Sequence, residues 1–433
     1  MKFWQLEPLM CLEVIPGMIA VLLFSLFAAT AGAQIFTQEL LFPTENWHNH
    51  SSSIVELPNA DLLVAWYHGS GEGEADDVCV MGMRKSHRTQ QWSEPFLMVD
   101  TPNLPDLNPV LFLDPRGVLW LFRSTYMDNS IKGCLIKYCT SSDYNNEGAP
   151  KWEWQEVLHV RPRNFETIYA IMQQKIEQVR EDDIKKNPKL RKIIDEQQSA
   201  VRDKLLRRLG WMTRTRPTMT TGNQLMLGIY HDLFACGLAA FTEDWGATWT
   251  FSEPIVDVYL GLVQPTFALR KDGSIVSFLR DNGFPKQIRS AISLNSGIRW
   301  RALESLDIPN PGSSVDCLVL KNGHWVLCCN DLKEGRHRLT VYLSENEGKS
   351  WHWRRSFAPP RETVTPQADR PSLPESATWA RKELHYPTMI QGQDGTIHAT
   401  YSYGIGSTST QRNESICYVH FDEEWIRQGE KLN

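Results

Sequence analysis

The sequence predicts an all-β protein, a six-bladed β-propeller with a helical insertion between blades two and three. Two repeats and one interruption predict it. The first repeat is a box of the form S/T-x-D/N-x-G-x-x-W, found at Thr242–Trp249, Ser293–Trp300 and Ser344–Trp351. Its tryptophans stand two equal steps of 51 residues apart. A fixed period of roughly 40–50 residues marks a stacked or radial repeat, usually a propeller of four-stranded blades. The second repeat is a hairpin: an entry residue, often followed by Pro, then an apolar run, a turn and another apolar run. It occurs six times, at Ser51–Trp66, Asn108–Arg123, Arg216–Tyr230, Gln264–Arg280, Ser314–Cys329 and Tyr386–Tyr403. The interruption is a charged stretch, residues 162–209, without turns or β-rich runs.

Each element has a local cause. In the box, the Ser or Thr hydroxyl and the Asp or Asn side chain can hydrogen-bond the turn's own backbone. The Gly takes the positive φ a tight turn needs, and the Trp buries a ring that can pin a blade to its neighbour. These boxes read as structural staples with no catalytic role. The hairpin turns Asn59-Ala60, Arg116-Gly117, Gly222-Asn223, Asp272-Gly273, Asn322-Gly323 and Asp394-Gly395 join runs rich in β-branched and aromatic residues. Ser86–Trp92 and Thr140–Trp154 are weaker boxes in the first two blades.

Within 162–209, Ile168, Ile171, Met172, Ile176 and Val179 recur at helical spacing, and Leu190, Ile193, Ile194, Val201 and Leu205 continue it. Asn187-Pro188 reads as an N-cap followed by Pro at the first helical position. Two helices are expected, packed on the propeller's side or serving as a lid or a dimer contact. The proline-rich stretch from Phe357 to Glu383 is expected to be a surface loop. Ser415–Phe421 is expected to close the ring by pairing with Ile35–Leu41.

The N-terminus carries Lys2, an apolar run from Met18 to Ala29, and the small-residue site Ala31-Gly32-Ala33. This pattern predicts a signal peptide over residues 1–33, with the propeller over 34–433, export to the periplasm or outside, and membrane attachment only if the leader is uncleaved. Asn49-His-Ser51 and Asn413-Glu-Ser415 are glycosylation sequons in a host that uses them. A net charge of −6 gives no reason to expect nucleic-acid binding. The eight cysteines after the leader show no metal-ligand spacing, and their pairing cannot be read from sequence. No cofactor and no metal are expected, and oligomeric state is not specified.

Counting back eight from the first turn residue aligns the hairpin entries at Ser51, Asn108, Gln264, Ser314 and Tyr386; the shorter third copy is placed at Arg216 by its Pro217. In a propeller the innermost strands surround the central channel, so their first residues converge on one mouth. His50 or Ser51, Asn108, Arg216, Gln264, Ser314 and Tyr386 therefore mark the floor of one pocket.

The boxes, the six hairpins and Tyr386 together resemble the sialidase superfamily, in particular its bacterial BNR-repeat, sialidase-like branch. Ile308–Ser313, Gly335–Thr340 and His385–Thr388 are similar to stretches of that branch. The resemblance implies a carboxylate clamp of arginines, and Arg280 and Arg336 match two of the family's three. His50 stands at the position of the third, with Arg216 placed to compensate. The family's acid/base Asp lies in the loop after the second strand of blade one, here Gly69–Asp77, which makes Asp77 the first choice and Asp76 the second. That acidic, Gly-rich loop could instead be a solvated turn or a calcium loop, although it lacks a complete calcium-binding pattern. Tyr386 matches the family's nucleophile. Its activating Glu is replaced by Gln264, which cannot accept a proton, so either another group such as His385 or His50 supplies the base or the sialidase mechanism does not run here. The implied function is an exported glycoside hydrolase, exo-acting and sialidase-like, on a terminal acidic sugar of a glycan whose carboxylate the arginines hold. Two alternatives are a polysaccharide lyase on uronate-containing glycan and a non-catalytic glycan-binding propeller; Gln264 favours both.

Overall fold

In the computed structural model, which describes residues 34–303, 305–360, 381–408 and 411–432, the hairpins become six antiparallel sheets arranged as the blades of a propeller. Blade one runs from His48–Glu56 through Leu62–Gly69 and Cys79–Lys85 to Phe96–Val99. Blade two spans Asp106–Leu113 to Trp154–Leu158, and blade four Leu262–Leu269 to Arg301–Ala302. Blade three has a divided inner strand, Met212–Thr213 and Thr218–Met219, both paired with Leu225–His231. Blade five adds a fifth strand, Glu430–Lys431, from the chain's end.

Blade six joins the two ends of the described chain. Its outer strand Phe36–Leu40 pairs with Gln411–Phe421, in the register Phe36 to Phe421 and Leu40 to Cys417. The ring closure expected from Ser415–Phe421 is the one observed, and it hides an otherwise open strand edge. The leader, residues 1–33, and most of the proline-rich stretch lie outside the described residues. Among the described residues no helix is long and apolar enough to cross a membrane. The eight described cysteines are free thiols and seven are buried, so they act as apolar core residues.

The boxes staple as their chemistry requires. Thr242 Oγ1 accepts from the Gly246 N–H at 2.7 Å, and Asp244 Oδ1 accepts from the Thr248 N–H at 2.8 Å. Gly246 has φ 93°, and a Cβ there would meet the Trp120 ring at 3.0 Å. Trp249 then donates to the Tyr138 hydroxyl of blade two at 3.3 Å. Trp351 of the third box packs edge-on against Phe278 of blade four. Each of these two boxes fastens its blade to the preceding one.

The insertion forms three helices rather than two: α1 (Phe165–Val179), α2 (Glu181–Lys186) and α3 (Pro188–Arg202). The extra break falls at Arg180, whose φ of −115° leaves the helical region while its guanidinium reaches the Val258 carbonyl. Asn187 caps α3 by accepting from the Lys189 and Leu190 N–H groups, with Pro188 at the first position. Phe165 and Tyr169 of α1 and Ala200 and Val201 of α3 join a core shared with blades two and three. The helices thus buttress the side of the propeller.

Candidate functional site

The site is built on strained backbone. Four inner-strand entries, Ser51, Asn108, Gln264 and Tyr386, adopt φ of 55°, 48°, 54° and 57°. Each sits in a gap in strand register, between His50 and Ser53, Leu107 and Val110, Val263 and Thr266, and His385 and Thr388. An extra residue in a bulge bends the strand and re-aims its side chain. Left-handed φ is uncommon for non-Gly residues, and for bulky Tyr and Gln it persists only where surrounding contacts over-determine it. Those contacts come from the channel. Thr213 Oγ1 donates to the Asn108 carbonyl at 2.9 Å, and Thr215 Oγ1 to the Pro265 carbonyl at 2.6 Å. The Ser51 N–H donates to Ser402 Oγ at 2.9 Å.

Above these entries lies a cavity of about 670 Å³ whose lining includes His48, His50, Glu72, Asn108, Tyr230, Asp232, Arg280, Arg336, Tyr386 and Glu414. Tyr386 is its floor. Arg280 Nη1 donates to the Tyr386 hydroxyl oxygen at 2.7 Å. The guanidinium carbons of Arg214, Arg336 and Arg280 lie 5.0, 5.5 and 5.9 Å from the centre of the Tyr386 ring. Burial would push this phenol up, but the charges of Arg280 and Arg336, with a hydrogen bond from Gln264, hold it below its ordinary value. Gln264 Oε1 accepts from Arg280 Nη1 at 3.4 Å, and its Nε2 donates to the Tyr230 hydroxyl at 3.2 Å. Asn108 Nδ2 donates to the same hydroxyl at 3.5 Å.

The wall facing Tyr386 is histidine and carboxylate. The His50 ring lies 4.2 Å from that of Tyr386 and 5.4 Å from that of His48. His48 bonds Glu414 through Nδ1 at 3.0 Å and the Tyr67 hydroxyl through Nε2 at 3.1 Å. Burial alone would lower the His48 pKa, but hydrogen bonds and charge from Glu414 and Glu72 raise it to about 9, so it is a cation near neutrality. In return, although burial pushes Glu72 up, His48 holds that carboxyl below its usual range. Asp232 is the opposite case: burial raises its pKa, against the attraction of Arg280. The helical insertion supports the Asp232 loop. Gln197 Nε2 donates to the Leu233 carbonyl at 3.0 Å, and the Tyr169 hydroxyl to the Phe234 carbonyl at 2.6 Å. The cavity thus brings together a buried phenol beside fixed cations, a carboxyl whose pKa burial raises, and polar walls.

The sequence matches the BNR repeat-like domain over residues 60–183 and 200–399, most of the chain. The chain belongs to this BNR repeat-like family. Solved structures agree on the fold. The intramolecular trans-sialidase of Ruminococcus gnavus superposes with a TM-score of 0.61 at 10% identity, over 89% of this chain and 97% of its own. The NanB sialidase of Streptococcus pneumoniae gives 0.61 at 12% identity, over 90% of this chain and 71% of its own. An α-L-arabinanase of Penicillium chrysogenum gives 0.52 at 13% identity, over 88% and 98%. At these identities the shared property is the glycoside-hydrolase-like propeller fold. Among curated proteins no match is found.

Within this BNR-repeat propeller, the structure brings Tyr386, Arg280, Arg336, His50 and Asn108 to the cavity, with Gln264 directly behind them. His385 is buried beneath the wall, its ring 4.7 Å from His50. Two expected site residues are elsewhere. Arg216 points down the channel, donating to the Met389 and Cys317 carbonyls at 2.9 and 2.8 Å, and lines a groove with Ile54, Leu111 and Leu318. Its place is taken by Arg214, buried beneath Tyr386 and donating to the Pro387 and Ser52 carbonyls. The signal was present in the sequence, because counting back eight from Gly222 gives Arg214, and Pro217 drew the assignment two residues too far. Asp77 is also displaced. It turns outward and accepts from the Ser70 N–H and hydroxyl, both at 3.0 Å, closing the neck of the loop. Asp76 accepts from Asn129 Nδ2 at 2.8 Å. The loop instead sends Glu72 and Glu74 to the cavity. Tyr230, Asp232 and Glu414 were not assigned to the site by sequence reasoning: Tyr230 was read only as the end of the third hairpin, Asp232 follows that strand, and Glu414 comes from within the ring-closing strand Gln411–Phe421.

Proposed function

We propose that the protein is an exported, sialidase-like glycosidase acting on a terminal acidic sugar, with Tyr386 as nucleophile and Asp232 as the proton donor. The carrying observation is the Tyr386 hydroxyl held at 2.7 Å by Arg280 and flanked by Arg336. A free phenol has a pKa near ~10 and needs help to attack near neutrality. Gln264 cannot take its proton, and the two guanidiniums supply that help by favouring the phenolate. In this reading Arg280 and Arg336 also hold the sugar carboxylate, in the forked geometry for which arginine is suited. The phenolate oxygen bonds to the anomeric carbon as the glycosidic bond breaks, and the Asp232 carboxyl gives its proton to the leaving oxygen. The resulting Asp232 carboxylate then takes a proton from water as that water displaces Tyr386. Glu72, kept ionised by His48, positions that histidine.

The test uses two sialosides, one with an activated phenolic leaving group and one with a sugar leaving group. Tyr386→Phe should lose at least roughly a hundredfold on both while remaining folded by circular dichroism. Asp232→Asn should lose a similar factor on the sugar leaving group and much less on the activated one; Asp77→Asn should lose little on either. Equal losses for Asp232→Asn on both substrates would remove its assignment. A second reading rests on Gln264: with no carboxylate behind Tyr386, the same groups suit β-elimination from a uronate. Unsaturated, near-ultraviolet-absorbing product from uronate polysaccharide, with no sialoside cleavage, would replace the hydrolase reading by that one.

A further inference from the structure

At the turn end of blade six, opposite the mouth, three side chains of metal-ligand type, Asp394, His398 and His420, cluster together. One ligand atom from each lies within 4.8 Å of the others. The fold, not a sequence motif, brings them together. Asp394 sits in the hairpin turn, while His398 and His420 face each other across adjacent strands, with rings parallel to 7° and centroids 4.6 Å apart.

Three further observations fit a ligand. First, each ring is oriented through its other nitrogen: His398 Nδ1 bonds the Tyr418 hydroxyl at 2.8 Å, and His420 Nε2 bonds Thr396 Oγ1 at 2.7 Å. Thr396 Oγ1 gives its own proton to Asp394 Oδ1 at 2.7 Å, so it accepts from His420 Nε2–H, which leaves the lone pair on Nδ1. Such partners fix tautomer and ring orientation in metal-bound histidines. Second, Asp394 Oδ1 is itself fixed by the Thr396 N–H at 2.9 Å. Third, Gly392 keeps the space open: a Cβ there would lie 2.8 Å from Asp394 Oδ1 and 2.9 Å from His398 Nε2.

We propose that Asp394, His398 and His420 bind a divalent transition-metal ion, zinc being the best match to two imidazoles and one carboxylate. Calcium and magnesium prefer all-oxygen sites. The ion would pin the turn of blade six to its third strand, the strand that also pairs with Phe36–Leu40 to close the ring. Its role is structural and independent of the chemistry at Tyr386.

The test is zinc binding to the chelator-treated full chain, by calorimetry and elemental analysis, with zinc chloride as the only probe. One equivalent should bind and raise the melting temperature. His420→Gln and Asp394→Asn, checked for folding by circular dichroism, should abolish both effects. Tyr418→Phe should weaken binding roughly 10–100-fold, whereas His87→Gln, at an exposed histidine, should leave it unchanged. Cobalt in place of zinc should give visible absorption bands that the His420→Gln protein lacks. Failure of the wild-type chain to take up zinc, or equal uptake by the His420 and Asp394 variants, would overturn the proposal.

Discussion

His48 gives the sharpest pH probe of the mouth. Its pKa rises from an ordinary 6.5 to about 9 because the hydrogen bonds and charges of Glu414 and Glu72 outweigh the cost of burial. That change is roughly a 300-fold gain in proton affinity on folding, or about 3 kcal/mol at 1.36 kcal/mol per tenfold. The His48 and Glu414 side chains are only 13% and 3% exposed, whereas Glu72 is 57% exposed, so solvent screens the Glu72 share and this figure is an upper bound. The folded value lies above the unfolded one, so the native state holds this proton more tightly. The stabilisation is therefore complete below about pH 6.5 and is lost as pH rises through about 9. The perturbation is His48→Gln, and the assay is urea unfolding at several points between about pH 6 and 9.5. Wild type should lose up to about 3 kcal/mol more than the variant across that window. Parallel pH profiles for the two proteins would refute the assignment of a charged His48 in the folded state. The same titration bears on function: above about pH 9 the mouth loses a cation and keeps Glu72 and Glu414, so affinity for an acidic sugar should fall as well.

The remaining predictions concern the floor and the frame. Arg280→Lys keeps a charge but loses the fork; binding of an acidic monosaccharide, measured by calorimetry, should weaken roughly 10–100-fold, the value of a hydrogen bond to a charged group. In the same variant an ultraviolet titration should show the Tyr386 phenol ionising at higher pH than in wild type. Ser344→Ala removes the acceptor of the Gly348 N–H, a 3.0 Å bond at the heart of a box, and should cost about 1 kcal/mol in urea unfolding with catalysis unchanged. Gln264→Glu should move the pH optimum of turnover upward; an unchanged or lower optimum would contradict the role given to the guanidiniums.

How much of this was legible in the sequence depends on whether a feature is set locally. The box at Thr242–Trp249 and the turn at Asp272-Gly273 draw their hydrogen bonds from residues within a few positions, so their pattern states their geometry. The blade count, the ring closure and the convergence of Tyr386, Asn108 and His50 all follow from repeating that local rule. Blade three shows its limit. Its inner strand is divided between Met212–Thr213 and Thr218–Met219, so the Pro that marks other entries no longer follows the entry itself. The acids were not legible for a different reason. Whether Asp77 or Glu72 enters the cavity depends on Ser70, which captures Asp77, and on His48, a partner from another strand. Glu414 enters from the strand that closes the ring, 366 positions after His48 in the sequence, and only the fold brings the two together. The metal-like cluster arises in the same way, from cross-strand pairing of His398 with His420.

Gln264 shows how one substitution can change the way a phenol is ionised without changing the floor that holds it. A glutamate there would accept the phenol's proton, but its carboxylate would also face Arg280, which already lies 3.4 Å from Gln264 Oε1. The guanidinium would then divide its charge between the carboxylate and the phenolate, and the phenolate would lose part of its stabilisation. The neutral amide avoids that competition. It accepts weakly from Arg280, leaves the short 2.7 Å bond to Tyr386, and uses its amide N–H on Tyr230, which a glutamate could not do. Tyr230 in turn has its pKa pushed up by burial, so it stays a neutral hydroxyl beside Gln264 and Asn108. The pair of tyrosines thus divides: one is kept protonated by its surroundings and the other is drawn toward the anion by two arginines. This division depends on residue 264 being uncharged, which is why Gln264→Glu should raise the pH at which Tyr386 ionises while leaving the fold intact.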